Sequence, residues 1–174
     1  QWNPKSAITD INKISFLSLA RLENVKQLHH IIIVAEILLQ TYPQWRFVIL
    51  GDGPLRSKLV NMIKIKNLTS SVEILSATQN PETFYNNADF YLITSLTESF
   101  PISMIEALSF GIPVISYDEL SGPREIIKNN FNGFLVEQNN PHKFALEVFK
   151  NAENNFSNYI NLSRNAIDTA LEIS

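Results

Sequence analysis

Arg46-Phe47-Val48-Ile49-Leu50-Gly51-Asp52-Gly53-Pro54-Leu55 decides how the chain folds. An apolar, β-favouring run asks for a buried strand. Gly51 to Pro54 ends it, and Pro54 stands where a helix begins, a place that tolerates a missing N–H. Residues 55–66 then carry helical spacing. The same unit recurs on either side. Short apolar runs occupy 14–20, 46–50, 72–75, 89–94, 113–117 and 133–136, and helical patterns fill 25–41, 55–66, 81–87, 102–110, 123–128, 141–152 and 159–173. Near-continuous apolar strands separated by helices predict an α/β fold: a doubly wound, Rossmann-like parallel sheet of about six strands with helices on both faces.

Punctuation agrees. Gly111-Ile112-Pro113 closes a helix and opens a strand, Asn132-Gly133 is a turn signal, and Asn139-Asn140-Pro141 reads as a helix start. Residues 1–13 lack either period. They read as a linker from a missing N-terminal domain, which leaves 14–174 as the folded domain; the opening Gln1 to Lys5 carries no initiator Met.

Composition narrows the function. The 174 residues carry a net charge of −3 with 45% hydrophobic and 18% charged residues, and the pI is near 5.6. Cations this few and this scattered exclude a nucleic-acid partner. With no cysteine, disulfide scaffolds and Cys-based metal sites are excluded. The longest apolar stretch, 31–39, contains Glu36 and is too short to span a bilayer. No signal peptide is read at the start, so the expectation is a cytoplasmic protein.

Ligands of such sheets sit beyond the carboxyl ends of the strands. After the first strand, Arg21 and Lys26 straddle a loop. They either neutralise a diphosphate or are solvated surface charges. After the second, Gly51 and Gly53 allow close approach of a ligand, although a tight turn into a helix explains them as well. The third Gly of a dinucleotide fingerprint is missing, and no acidic residue is placed to read an NAD ribose, which argues against a dehydrogenase.

After the fourth strand comes Ser95-Leu96-Thr97-Glu98-Ser99-Phe100-Pro101-Ile102-Ser103-Met104-Ile105-Glu106-Ala107. Pro101 suits a first helical turn, so the amides of Ile102 and Ser103 should be unpaired and receptive to an anion. Glu98 and Glu106 would flank that anion as acceptors for hydroxyls, a pattern that fits a sugar. After the fifth strand, Ser121 resembles a helix cap and Gly122 permits close approach. His29, His30 and His142 have no metal-ligand spacing and read as structural or surface residues.

Together these motifs resemble the retaining glycosyltransferases of family 4, specifically the C-terminal, donor-binding domain of their two-domain GT-B architecture. Arg21-Leu22 through Lys26 is similar to the family's Gly-Arg-Leu-x-x-x-Lys segment, and Glu98 through Glu106 to its Glu-x7-Glu motif. Ser95, Phe100-Pro101, Ala107, Gly111 and Pro113-Val114 fall in the same spacing. Ala20, Gln27 and Ser99 stand where the family favours Gly. The resemblance implies that Glu98 binds hydroxyls of the transferred sugar and Glu106 the ribose. Arg21 and Lys26 hold the diphosphate, and the Ile102 and Ser103 amides support it, with Ser99, Phe100, Gly51, Gly53 and Gly122 lining the donor site. It also implies a UDP-sugar donor, no metal or other cofactor, and a glycan or lipid-linked acceptor held mainly by the missing domain. Bacterial capsule, lipopolysaccharide or teichoic-acid synthesis would be the setting, with peripheral membrane association of the whole enzyme at the inner face. The alternative is a non-catalytic nucleotide-sugar-binding module.

Overall fold

The computed structural model describes residues 3–154 and 157–174. Strands and helices alternate as β1 (Ser15–Leu19), α1 (Leu28–Leu38), β2 (Arg46–Leu50), α2 (Arg56–Ile65), β3 (Val72–Leu75), α3 (Glu82–Asn87), β4 (Phe90–Ile93), α4 (Ile102–Ser109), β5 (Val114–Tyr117), α5 (Pro123–Ile126), β6 (Gly133–Val136), α6 (Pro141–Asn154) and α7 (Tyr159–Ile173). The six strands form one sheet in the order β3-β2-β1-β4-β5-β6, and all pairings are parallel. This is the doubly wound topology that the alternating pattern predicts.

The period of two along each strand feeds two cores. Phe16, Phe47, Ile49, Phe90, Leu92, Ile115 and Tyr117 point to one face, where they meet Ile31, Ile32 and Ala35 of α1 and Phe144 and Val148 of α6. Leu17, Leu50, Tyr91, Ile93 and Val114 point to the other, against Met104, Ala107 and Leu108 of α4 and Ala166 and Ala170 of α7. Both faces are buried, which explains why the strands read as unbroken apolar runs.

Two local readings change. The helix expected over 25–41 is interrupted. Asn24–Lys26 form a 3-10 turn, Gln27 adopts a left-handed conformation (φ 45°, ψ 41°), and α1 starts only at Leu28. That conformation crowds a Cβ, so a Gly preference at this position has a steric cause. Gln27 is held there by its Nε2, which donates to Asn139 Oδ1 at 2.9 Å. At the other end, α1 stops at Leu38, and a turn from Leu38 to Tyr42 follows.

The linker read over 1–13 falls in part on Gln1 and Trp2, which lie outside the described residues. Residues 3–13 contain no helix or strand but lie against the domain. Ile8 is buried, the Lys5 amide donates to Ser163 Oγ at 2.7 Å, and Ile11 O accepts from Trp45 Nε1 at 2.6 Å. Asn140 caps α6 as its position suggests, accepting the Lys143 amide at 3.1 Å.

His30 is buried in the first core with Nδ1 at hydrogen-bond distance, 2.8 Å, from the Tyr117 hydroxyl. Burial, with a smaller push from His29, lowers its pKa from 6.5 to about 4. The fold therefore favours the neutral form. That contribution is complete above pH 6.5 and is lost as the pH falls from 6.5 towards 4. At pH 5 the loss is on the order of 2 kcal/mol. Between pH 7 and 5 the wild-type melting temperature should fall further than that of His30→Gln; equal falls would show that His30 titrates normally.

Candidate functional site

β1 and β4 are neighbours in the sheet, yet the chain leaves them towards opposite faces, into α1 and α4. They pair only through Phe16↔Phe90 and Leu17↔Tyr91, and then part. The Tyr91 hydroxyl closes the gap: it accepts from the Leu19 amide at 3.0 Å and donates to the Leu19 carbonyl at 3.1 Å. Burial pushes its pKa far above the usual phenol range, so it stays a neutral bridge. The crevice beyond this point is where open α/β sheets take ligands.

Two loops meet over the crevice. The Thr94 hydroxyl lies 3.0 Å from the Lys26 carbonyl and 3.1 Å from that of Gln27, and the Leu96 amide donates to Val25 O at 2.8 Å. These bonds carry Lys26 to Glu98. Lys26 Nζ donates to Glu98 Oε1 at 2.6 Å, and Ser95 Oγ donates to the same oxygen at 2.7 Å. The side chains are only 20% and 15% exposed. The ion pair and its neighbours fill the crevice, leaving a cavity of about 10 Å³. Arg21 is placed differently. It pairs with Glu23 at 2.7 Å with its side chain 74% exposed, so in the free chain it is the solvated charge of the two.

The β5–α5 loop grips Glu98 from behind. Glu119 Oε2 accepts the Glu98 amide at 2.7 Å, and Ser121 Oγ donates to the Glu98 carbonyl at 3.2 Å. Gly122 has φ 66°, and a Cβ there would lie 2.6 Å from the same carbonyl. Ser121 is therefore not the helix cap that its position suggests; Gly122 is the residue at the start of α5. Burial, reinforced by the charge of Glu98, raises the Glu119 pKa above the usual carboxylate range. The sequence reading singled out Ser121 and Gly122 but passed over Glu119. Its partner is a backbone amide 21 residues earlier in the chain, which leaves no signal in the sequence.

At the start of α4, one expectation fails. The Ile102 amide donates to Phe100 O at 2.9 Å, because Pro101 (φ −81°, ψ 77°) turns the chain tightly back on itself. The Ser103 amide has no acceptor among the described residues, so only it is left facing outward. Ser99, Phe100 and Ile102 are exposed on the rim. Glu106 is exposed on α4, one turn further along, and its Oε2 accepts the Tyr85 hydroxyl at 2.8 Å. The glycines of the β2–α2 loop serve the packing of loops. A Cβ on Gly51 would lie 1.8 Å from Ala20 O, and one on Gly53 2.7 Å from Leu22 O. That packing places the backbone of residues 20–22, and hence Arg21.

Larger hollows lie elsewhere. One of about 380 Å³ borders Lys5, Asn86, Ser109 and Phe110 at the far ends of α3 and α4. Its one charged group, the Lys5 ammonium, already donates to the Tyr85 and Asn86 carbonyls. A second, about 390 Å³ beside Glu36 and Lys66, is a groove on the outer surface where that pair is bridged at 2.6 Å, and a third of about 260 Å³ lies beside Leu38 and Phe149. Among the described residues no three His, Asp or Glu side chains gather as a metal-binding set, and no helix is long and apolar enough to cross a membrane.

Comparison with known proteins gives concordant results. A family model for glycosyl transferases group 1 matches residues 3–170. An "uncharacterized glycosyltransferase" of Haemophilus influenzae is 30% identical over 137 residues, 79% of this chain and 39% of that protein. A poly(ribitol-phosphate) alpha-N-acetylglucosaminyltransferase of Staphylococcus aureus is 30% identical over 136 residues, 78% of this chain and 28% of that protein. The crystal structure of a mutant of TarM from S. aureus, in complex with fondaparinux, alpha-GlcNAc-glycerol and UDP, superposes with a TM-score of 0.87 at 26% identity. It covers 98% of this chain and 34% of that one. The chain thus spans well under half the length of these proteins.

The geometry separates residues that build the loops from those free to meet a ligand. Gly51→Ala should destabilise the fold by about 1–3 kcal/mol or more through the clash with Ala20 O. The exposed Ser99→Ala should stay within about 0.5 kcal/mol of the wild type. Urea unfolding midpoints measure both, and a Gly51→Ala protein as stable as the wild type would contradict the packing described.

Proposed function

The chain belongs to the glycosyl transferases group 1 family and forms one Rossmann-like half of a GT-B fold. On that premise we propose that it is the donor-binding domain of a retaining, metal-independent glycosyltransferase of family 4 type. The enzyme passes a sugar from a UDP-sugar to a glycan or lipid-linked acceptor in bacterial surface polysaccharide synthesis, at the cytoplasmic side of the membrane. The observation that carries this reading is the Lys26–Glu98 contact at the β1/β4 crevice: a cation for a diphosphate and a carboxylate for sugar hydroxyls stand side by side on loops tied together by Thr94. The names of the relatives support the cell-surface setting, and UDP in the TarM complex supports the nucleotide.

The roles follow from chemistry. When the bond between the anomeric carbon and the diphosphate breaks, negative charge grows on the diphosphate. Lys26 and Arg21 stabilise it there, where electrostatic help lowers the barrier. Arg21 is free to reorient for this, since an exposed pair such as Arg21–Glu23 is worth no more than about 1 kcal/mol. Glu98, released from Lys26, accepts hydroxyls of the transferred sugar. Glu106, oriented by Tyr85, accepts those of the ribose. The Ser103 amide adds a donor for phosphate. The acceptor binds mainly on an N-terminal domain, so this chain alone binds donor weakly and turns over little. The alternative of a non-catalytic binding module is disfavoured because Arg21, Lys26, Glu98 and Glu106 are all present.

Calorimetric titration with UDP, GDP and ADP tests the reading. UDP should bind, and Arg21→Ala/Lys26→Ala should weaken it at least about 100-fold, as expected for the loss of two charge-assisted contacts of about 1.5–3 kcal/mol each. UDP binding unchanged in the double mutant would contradict the assigned site. In the full-length enzyme, Glu98→Ala should abolish sugar transfer; full activity would contradict the role of Glu98.

A further inference from the structure

Glu119 lies two residues beyond the end of β5, where a residue 3% exposed would ordinarily be apolar. One of its oxygens holds the Glu98 amide at 2.7 Å. The other, Oε1, is buried and has no hydrogen-bond partner among the described residues. Burial opposes its ionisation most, and the charge of Glu98 adds to that, while the Glu98 amide, Lys26 and the Thr97 side chain offset only part of it. A buried carboxyl with one oxygen unmatched and a like charge beside it detracts from stability. Its presence calls for a use that offsets that cost, and what it touches is the backbone of Glu98.

The same loop engages the other side of that residue. Ser121 donates to the Glu98 carbonyl, and Gly122 packs against it so closely that no Cβ fits. Both polar backbone groups of Glu98 are thus held by side chains from one loop, while its own carboxylate is held from the front by Lys26 and Ser95. If Lys26 turns to a diphosphate, the Glu98 carboxylate keeps only Ser95 of its two front contacts, and the rear clamp fixes the backbone from which that carboxylate points.

We infer that Glu119, with Ser121, is a positioning residue. It holds the backbone of Glu98 so that the carboxylate is presented to the transferred sugar, and thereby sets the contribution of the sugar to donor affinity. This rests on the donor-site reading above and adds a residue to it. Glu119 is buried behind Glu98 with an oxygen on the Glu98 amide, so its loss should leave the nucleotide contacts intact.

Amide hydrogen exchange by NMR and calorimetry, on the wild type, Glu119→Ala and Glu119→Gln, test this together. Gln keeps an acceptor for the Glu98 amide and carries no charge. In Glu119→Ala the Glu98 amide should exchange at least tenfold faster, while the sheet amides of Ile93 and Ile115 keep wild-type protection and so report an intact fold. In Glu119→Gln the Glu98 amide should stay within about threefold of the wild type. The ratio of the Kd for UDP-N-acetylglucosamine or UDP-glucose to that for UDP should rise at least fivefold in the Ala variant and recover in the Gln variant. Unchanged Glu98 exchange in Glu119→Ala would overturn the clamp. Faster exchange with UDP and UDP-sugars weakened alike would overturn its link to the sugar. A wild-type chain that binds no UDP would instead contradict the donor-site reading on which the inference stands, and the exchange measurement, which needs no ligand, tells the two failures apart.

Discussion

The separation of β1 from β4 is the constraint on which the site depends. A parallel sheet buried on both faces sends consecutive crossovers to one side until the strand order reverses. At the reversal, two neighbouring strands deliver their chains to opposite faces. Here that happens at the centre of the order β3-β2-β1-β4-β5-β6. No helix can cover the gap, and the backbone groups exposed there need other partners. The Tyr91 hydroxyl satisfies Leu19, and the Thr94 hydroxyl shares its proton between the Lys26 and Gln27 carbonyls at the end of the 3-10 turn. The bonds that repair the sheet edge also bring Lys26 within reach of Glu98.

In the free chain, Lys26 and Glu98 neutralise each other inside a crevice almost without void. Two unit charges about 4 Å apart attract by about 4 kcal/mol at an effective dielectric of 20, and partial desolvation cancels much of that. A diphosphate carries more than one negative charge and several acceptor oxygens, so it competes well for the ammonium. The carboxylate it displaces then requires donors, and sugar hydroxyls are donors. On the proposed function, cation and carboxylate are thus preorganised against each other in the free chain, and binding exchanges one internal pair for two external ones.

Much of the fold was legible because both faces of the sheet are buried. Continuous apolar runs such as Arg46–Leu50 have no other stable use in a chain that also carries amphipathic helices. The strand positions hold to within about a residue. What the sequence hid was local and conformational. A helical period runs through Val25 and Leu28 although Gln27 interrupts it, because periodicity is blind to a single left-handed residue. Spacing placed Lys26 and Glu98 on facing loops but could not show that they touch. It also suggested a pair of free amides after Pro101, where the tight turn consumes that of Ile102. Glu119 escaped because its partner is a backbone amide 21 residues earlier in the chain, a contact with no sequence signature.

The most direct measurement is a map of amide chemical-shift changes when the isotopically labelled chain is titrated with UDP. If the crevice between β1 and β4 is the donor site, the largest changes fall on residues 20–27, 95–106 and 119–122, around the Lys26–Glu98 pair. Changes centred instead on Lys5, Asn86 and Phe110, or on the groove beside Glu36 and Lys66, would place the ligand in a different hollow and contradict the account.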